Sequence, residues 1–403
     1  MQRGSKTVVG ILAGGGSLPR EIADVVAAQG TTPVIVGLEG EVNPRDFAGH
    51  DFTLVNWGRI GQLMHSFKQK NVTDLVIVGS VTRPDLWAIR TDFGFWRNLP
   101  SILKIIRSGG DDSVLRRVVG FFESQGFTVR GPAEVAPALV IGEGPFGRVA
   151  MAEAALRDFE VGRDIVARLA PFDIGQAVVV AGGQVLTVEG AEGTDAMLQR
   201  VASGRTQRQG GVLVKWPKPG QELRVDMPAI GPNTVAAVAA AGLDGIAVQA
   251  GATLAAQRAD MLGAADANNV FIEGLRAQSI AVAKSKVADD GDVGLGVLAA
   301  LDGSVVSRGV VIVRRHVLAV ETGEGLAALV SRATRLRQWG KSKKRRGALV
   351  VANLSDLGQD VIEACAAAGY ERIVVISDPS AASAIEPFMR AAGLTLDLRR
   401  PNA

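Results

Sequence analysis

The sequence predicts an α/β protein in three parts: a parallel-sheet domain, a second α/β domain, and a degenerate duplicate of the second. Three observations predict it. Strand-like and helix-like runs alternate over residues 7–131, the pattern of a parallel sheet with helices on both faces. A glycine triplet, Gly14-Gly15-Gly16, falls at the first strand-to-helix junction. The stretch 178–198 recurs in order at 310–330. The expected boundaries are 1–133, 134–278 and 279–403.

In the first part, a strand over 7–13 leads through the glycines to a helix over 17–29. A strand at 33–38, a helix at 59–70 and a strand at 74–78 follow. A helix after Asp111 and a strand near 127–130 close the domain. Residues 132–150 are rich in Pro, Gly and Ala without a period, and read as a linker. The second part opens with a helix over 152–169. A hairpin at 177–180 and 184–189 follows, turning at Ala181-Gly182-Gly183. Then come a helix at 195–203, a strand at 211–215, a helix at 234–241, a strand at 245–248, and a last helix and strand to Glu273. Residues 276–292 read as another linker.

In the third part, Val185-Leu186 aligns with Val317-Leu318, and Glu192-Gly193 with Glu324-Gly325. Gly211 to Val214 aligns with Gly347 to Val350. Identities at turns and charged positions favour duplication over a likeness of composition alone.

A chain of 403 residues exceeds what one core serves, so two or three domains are expected. Hydrophobic content of 47% with only 13 Phe, 5 Trp and 1 Tyr means aliphatic cores. The start lacks a signal peptide's apolar core, and no apolar run approaches the ~18–20 residues of a spanning helix. A cytoplasmic protein is expected. The single cysteine, Cys365, leaves no intrachain disulfide and reads as a small buried side chain. Three histidines exclude a rich zinc site, so any metal would be Mg²⁺ or Mn²⁺ on carboxylates and phosphate oxygens.

Net charge is +3, yet eight basic residues lie between Arg332 and Arg346, and removing them leaves −5. That argues against a nucleic-acid binder. The basic stretch reads as a solvated loop or as a patch for the anionic face of a membrane.

The most informative segment is 210–234, GGVLVKWPKPGQELRVDMPAIGPNT. A buried strand ends at Lys215. The loop after it carries Lys218, Glu222, Arg224 and Asp226 and is stiffened by Pro217, Pro219, Pro228 and Pro232. Asn233 or Thr234 can cap the following helix. A rigid loop with cations and a lone Asp at a strand end suits a polyanion.

Elsewhere, Gly14, Gly15, Gly16 and Ser17 could cradle phosphate at a helix N-terminus, or form only a tight turn. As a dinucleotide fingerprint the loop is weak, because the third glycine position falls on Pro19; Glu39 lies where a ribose-binding acid would. Asp111 and Asp112, after Gly109-Gly110, read as helix caps or substrate ligands. Arg83 could bind phosphate or pair with Asp85. Thr194 and Asp195 read as caps, or as ligand groups at an element end. Carboxylates from separate loops could hold one Mg²⁺ on a pyrophosphate, with Lys215 and Lys218 neutralising its oxygens.

The motifs G-I-L-A-G-G-G-S-L-P, G-S-V-T-R-P, G-G-D-D, E-G-T-D-A-M-L and L-V-K-W-P-K-P-G-Q-E-L-R-V-D-M-P-A-I-G-P-N-T-V resemble the LpxI-type UDP-2,3-diacylglucosamine pyrophosphatases, in order from Val8 to Ile272. The resemblance implies a Rossmann-like N-terminal domain and a C-terminal α/β catalytic domain. It implies Mg²⁺-dependent hydrolysis of UDP-2,3-diacylglucosamine to UMP and 2,3-diacylglucosamine 1-phosphate, in the lipid A synthesis of Gram-negative bacteria. It implies a membrane-derived lipid substrate, a homodimer, and an essential aspartate at Asp226. Lys215, Lys218 and Arg224 would then offset charge, Asp195 would join Asp226 at the metal, and Arg83 and the glycine loop would contact nucleotide or sugar. The chain departs from the family in length. Its third part has Ala327 where Asp195 aligns and lacks nine residues of the proline-rich loop, so it is expected to be catalytically silent. The alternative classes are a nicotinamide- or nucleotide-sugar-binding oxidoreductase, which would use the Gly14 loop and Glu39 and bind NAD, and a non-catalytic UDP-sugar-sensing module.

Overall fold

The computed structural model describes residues 8–81, 90–100, 111–204, 210–277, 288–303, 308–336, 346–377 and 379–399. The chain forms two compact units, and they do not follow sequence order. The first joins Met1–Glu143 with Gly220–Asn233 and Gln249–Ala264; the second joins Gly144–Pro219, Thr234–Val248 and Ala265–Ala403.

The first unit is built on five parallel strands: β1 (Val8–Ala13), β2 (Thr32–Leu38), β3 (Asp51–Val55), β4 (Asp74–Val78) and β5 (Thr128–Arg130), in the order β3-β2-β1-β4-β5. Strand β1 shows why it is buried on both faces. Val9, Ile11 and Ala13 pack with Ile22 and Val26 of helix α1 (Leu18–Ala28). Leu12 points the other way, into the cluster of Leu63 and Phe67 from helix α2 (Ile60–Gln69). Helices α3 (Phe93–Arg97), α4 (Asp111–Ser124) and α5 (Pro132–Val135) complete the run.

Strand β3 has no counterpart in the sequence reading, because at this edge only Val55 is buried and the apolar signal is weak. The expected linker at 132–150 is corrected in its first half. Ala136, Leu139 and Ile141 are buried, and the Ile141 N–H donates to the Thr253 carbonyl at 2.9 Å. The segments that return to this unit carry the two-residue parallel strands β10 (Ala229–Ile230) and β12 (Leu254–Ala255).

The second unit holds two sheets. The first has the order β6-β13-β11-β9-β7-β8, from β6 (Gly144–Pro145), β7 (Ala177–Ala181), β8 (Gln184–Val188), β9 (Val212–Lys215), β11 (Gly245–Gln249) and β13 (Phe271–Leu275). Helices α6 (Glu153–Leu169), α7 (Gly193–Gly204) and α8 (Pro232–Ala240) accompany these strands in the chain, while most of α9 (Arg258–Ala267) belongs to the first unit. Asn233 and Thr234 lie inside the first turn of α8, not at its cap, and Pro232 takes the first helical position.

The second sheet has the order β15-β14-β16-β17-β18, from β14 (Gly309–Val313), β15 (His316–Val320), β16 (Ala348–Val351), β17 (Arg372–Ile376) and β18 (Thr395–Arg399). Helices α10 (Asp290–Leu301), α11 (Leu326–Leu336), α12 (Gln359–Ala367) and α13 (Glu386–Ala391) belong with it. Helix α10 begins inside the stretch read as a linker. Its sequence, DGDVGLGVLAAL, is apolar almost all round and gives no amphipathic period.

The two sheets repeat one another in detail. Each hairpin is antiparallel and slips register at the same place, between Val179 and Val180 and between Val311 and Ile312. The Asp158 carboxylate accepts from the N–H groups of Gly182 (3.1 Å) and Gly183 (2.6 Å) at the first hairpin turn. Asp290 accepts from Arg315 N–H at 2.6 Å at the second. Both turns are left-handed, although arginines at φ 53° and 64° replace glycines in the later one. Gly162 on α6 and Gly294 on α10 let each helix close onto a valine of its sheet, Val214 and Val350. Both helices and the facing sides of both sheets share one apolar cluster, including Val178, Val214, Val310 and Val350. The remaining face of the later sheet packs with Leu329, Ile362 and Met389 of α11, α12 and α13, and with Cys365, whose burial pushes its thiol up to about 12.

Candidate functional site

The proline-rich segment is shared out between the units. In the second unit, β9 ends at Lys215, which is nearly buried. The Trp216 N–H donates to the Gln176 carbonyl at 2.9 Å, and its ring packs on Phe159 with 5.2 Å between centroids. Lys218 forms an ion pair with Asp173.

From Gly220 the chain belongs to the first unit, and its anchors are dense. Arg116 donates to the Gly220 carbonyl at 3.0 Å. Arg224 makes a two-pronged bond to Glu222, 2.7 Å from both Nε and Nη2, and reaches Glu123 with Nη1 at 2.9 Å. Val225 packs against one face of the β1–β5 sheet, while Met227 and Ala229 pack against the other. The Leu254 N–H donates to the Pro228 carbonyl at 2.8 Å. Within this frame the Gln221 amide donates to the Asp226 carboxylate (2.6 Å) and to its backbone carbonyl (2.8 Å).

The electrostatics follow from these contacts. The Arg224 hydrogen bond holds the Glu222 carboxyl below the usual range against the opposing effect of burial. The same pair raises Arg224. Arg224 and Lys218, read from the sequence as cations for a polyanion, thus each have carboxylate partners within the protein. Gln221, Glu222 and Glu123 were missed as a group. Glu123 is about a hundred positions distant in the chain, and a lone glutamine carries no charge to mark it.

The glycine loop is more structural than its spelling suggests. The N–H groups of Gly14 and Gly15 donate to the carbonyls of Val78 (2.8 Å) and Ser80 (2.7 Å), tying the end of β1 to the end of β4. A Cβ on Gly14 would meet the Ser80 carbonyl oxygen at 2.4 Å, so only glycine permits this approach. Gly16, at φ 94°, and Ser17 line a cavity of about 720 Å³ together with Arg20, Arg45 and Arg258 and the acids Glu21, Asp46 and Asp260. Glu21 stabilises its rim, accepting from the Gln257 N–H at 2.9 Å. The three arginines were not singled out in the sequence. They are distant in the chain and converge only in the fold. Glu39 accepts from the Asn56 side chain at 2.9 Å.

In the second unit, Thr194 donates to Glu189 Oε1 at 2.7 Å, while Glu189 Oε2 accepts from the Gln176 N–H, also at 2.7 Å. Asp195 follows in the exposed first turn of α7. Arg83 lies outside the described residues, as do the side chains of Asp111 and Asp112. Among the described residues, no three His, Cys, Asp or Glu side chains gather as a metal-binding group. The Asp226 carboxylate, beside a neutral amide, has the chemistry to join phosphate oxygens around a hard divalent cation. Arg332 is corrected: it is buried against Glu324 and Glu192 and takes no part in a surface patch.

Two family models match the chain, the LpxI N-terminal domain over residues 8–139 and the LpxI C-terminal domain over 142–273. The UDP-2,3-diacylglucosamine pyrophosphatase LpxI of Caulobacter vibrioides is 38% identical over 278 residues, which cover 98% of that protein and 67% of this chain. The chain belongs to the LpxI family. Within the family frame, the proline-rich loop lies in the matched C-terminal domain by sequence, yet from Gly220 it packs with the N-terminal sheet. Helices α10–α13 and the later sheet lie beyond both matched LpxI domains.

Proposed function

We propose that this chain hydrolyses the pyrophosphate of UDP-2,3-diacylglucosamine, giving UMP and 2,3-diacylglucosamine 1-phosphate, in lipid A synthesis. What carries this reading is the likeness to the LpxI pyrophosphatase along nearly its whole length. The local structure of the Asp226 loop supports it.

In the proposed step, a water oxygen bonds to one phosphorus and the bridging P–O bond breaks. Asp226 either ligates the metal or orients that water and takes its proton, the latter a role worth about 10²–10⁴-fold when the base is well placed. Gln221 fixes the carboxylate without neutralising it. The multiple anchors of the loop keep Asp226 in place, so reorganisation during the reaction is small. Lys218 and Arg224 hold the loop's shape through Asp173, Glu222 and Glu123; Lys215 at the end of β9 offsets phosphate charge. Mg²⁺ or Mn²⁺, carried in on the substrate, would supply charge neutralisation, with Asp226 and Asp195 as its protein carboxylates. Gly16, Ser17, Arg83, Asp111, Asp112 and Thr194 remain proposed substrate contacts.

The test is incubation with UDP-2,3-diacylglucosamine with and without EDTA, following UMP. Release of UMP that EDTA stops supports the reading; intact substrate after long incubation with Mg²⁺ overturns it. The oxidoreductase alternative is disfavoured, because the Gly14 and Gly15 N–H groups are already bonded to the carbonyls of Val78 and Ser80.

We further propose that residues 290–399 descend from a copy of the catalytic domain and carry no chemistry of their own. The basic residues that follow Arg332 up to Arg346 would touch anionic lipid, which vesicle co-sedimentation tests. No helix among the described residues is long and apolar enough to cross a membrane. Homodimerisation, implied by the family, is testable by light scattering, and a cytoplasmic location by fractionation.

A further inference from the structure

We propose that the C-terminal module, residues 290–399, holds the 190–195 loop of the catalytic domain in its working shape, with Arg332 as the positioning residue. The proposal rests on the reading that Thr194 and Asp195 serve the pyrophosphate site.

The loop leaves β8 and opens α7. Three contacts fix its first half to the later module. The Ala191 N–H donates to the Leu318 carbonyl on β15 at 3.0 Å. Gly190 lies so close that a Cβ there would stand 2.7 Å from the same carbonyl oxygen. The Glu192 side chain, 4% exposed, accepts through Oε1 from Arg332 Nη1 at 3.1 Å as well as from Arg200 at 2.6 Å. Thr194 and Asp195 follow within three residues.

The chemistry of Arg332 explains why it can do this. Its side chain is 10% exposed and donates to Glu192, to Glu324 and to the Val320 carbonyl (2.9 Å). A guanidinium carries donors in a fixed planar fork, so it can bind acceptors on two elements at once. A carboxylate as buried as Glu192 is tolerated only while paired. Each module also has its own pair of the same spacing, Glu192 with Arg200 and Glu324 with Arg332. Arg332 therefore does more than close its own module, since its third contact crosses to the catalytic domain. The LpxI C-terminal domain match ends at residue 273, so this buttress comes from chain that the matched domains do not contain.

The experiment compares Arg332→Met, Arg332→Lys and Glu324→Gln in the full chain. It measures kcat and KM for UDP-2,3-diacylglucosamine, and amide exchange over residues 190–199. Arg332→Met is expected to lower kcat at least about tenfold with little change in KM, because small misplacement of site groups is costly. It is also expected to speed exchange in the loop. Arg332→Lys should recover part of kcat, and it carries the test if the Met variant does not fold. Glu324→Gln breaks a bond of the same arginine while leaving the contact to Glu192, and should keep near-wild-type kcat. Unchanged exchange in both Arg332 variants overturns the proposal, as does wild-type kcat despite faster exchange. An equal kcat loss in Glu324→Gln reduces Arg332 to general stability and also overturns it. If the unaltered protein fails to release UMP, the functional reading falls, while exchange alone still judges the anchoring.

Discussion

Gln221 donates its side-chain amide to two oxygens of Asp226, one on the carboxylate at 2.6 Å and one on the backbone at 2.8 Å. A neutral donor in this place orients the carboxylate and does not itself cancel its charge. Asp226→Asn preserves the shape, since the new carbonyl oxygen can take the same bond, and removes only the charge. UMP release should fall by about 10²-fold or more with an unchanged melting temperature. Gln221→Leu keeps the charge and removes the two bonds by which Gln221 orients Asp226. It should lower kcat by a smaller factor, and steady-state kinetics on both variants check the order.

The pair Glu222–Arg224 makes the same loop sensitive to acid. Arg224 holds the Glu222 carboxyl below its ordinary value, so the folded loop favours the carboxylate. The stabilisation is complete above the unfolded value of about 4.3 and is lost as pH falls through the lower folded value. Limited proteolysis or amide exchange over residues 220–233 should show loosening only below about pH 4. Glu222→Gln should be looser at neutral pH and lose most of that dependence.

Helix–sheet contact in both modules depends on a missing side chain. A Cβ on Gly162 would stand 2.6 Å from Val214 Cγ2, and one on Gly294 would stand 2.3 Å from Val350 Cγ2. Gly162→Ala and Gly294→Ala should each destabilise the fold by ~1–3 kcal/mol through overpacking. Gly120, on the exposed side of α4 with open space around it, is the control. Gly120→Ala should stabilise by ~0.5–1 kcal/mol, and thermal melts distinguish the two signs.

Much of this architecture was legible in the sequence, and the failures share a cause. Strands β1, β2 and β4 announce themselves because both faces are buried and their runs are continuously apolar. Edge strand β3, with only Val55 buried, has no such run. Helix α10 is hidden for the opposite reason, since burial against α6 and its own sheet leaves it without a polar face. The hairpin repeat was readable because turns and register depend on local chemistry. At the candidate site, Asp226 is proposed from a specific local motif. Its supports were not legible, because Glu123 and Arg116 reach the loop from helix α4, and a sequence shows no partner across about a hundred positions. The same limit made Arg332 look like one charge in a basic run when it is a buried hydrogen-bond donor to Glu192.

The donor chemistry around Asp226 also fixes what metal removal should do. Mg²⁺ keeps most of its water and takes only one or two carboxylates together with substrate phosphates when no dedicated cage exists. Among the described residues, no group of three acidic, histidine or cysteine side chains forms such a cage. On the proposal that the metal arrives with the substrate, the free protein should bind Mg²⁺ or Mn²⁺ weakly, with no saturable site at micromolar concentration by calorimetry. EDTA should abolish UMP release at once, without the slow phase of a metal leaving a closed site, and added Mg²⁺ should restore it as quickly. Melting temperature should not change in either direction, since the ion contributes nothing to the resting fold. A tight site in the free protein, or a melting temperature that falls with EDTA, would contradict substrate-borne metal and point to a resident ion.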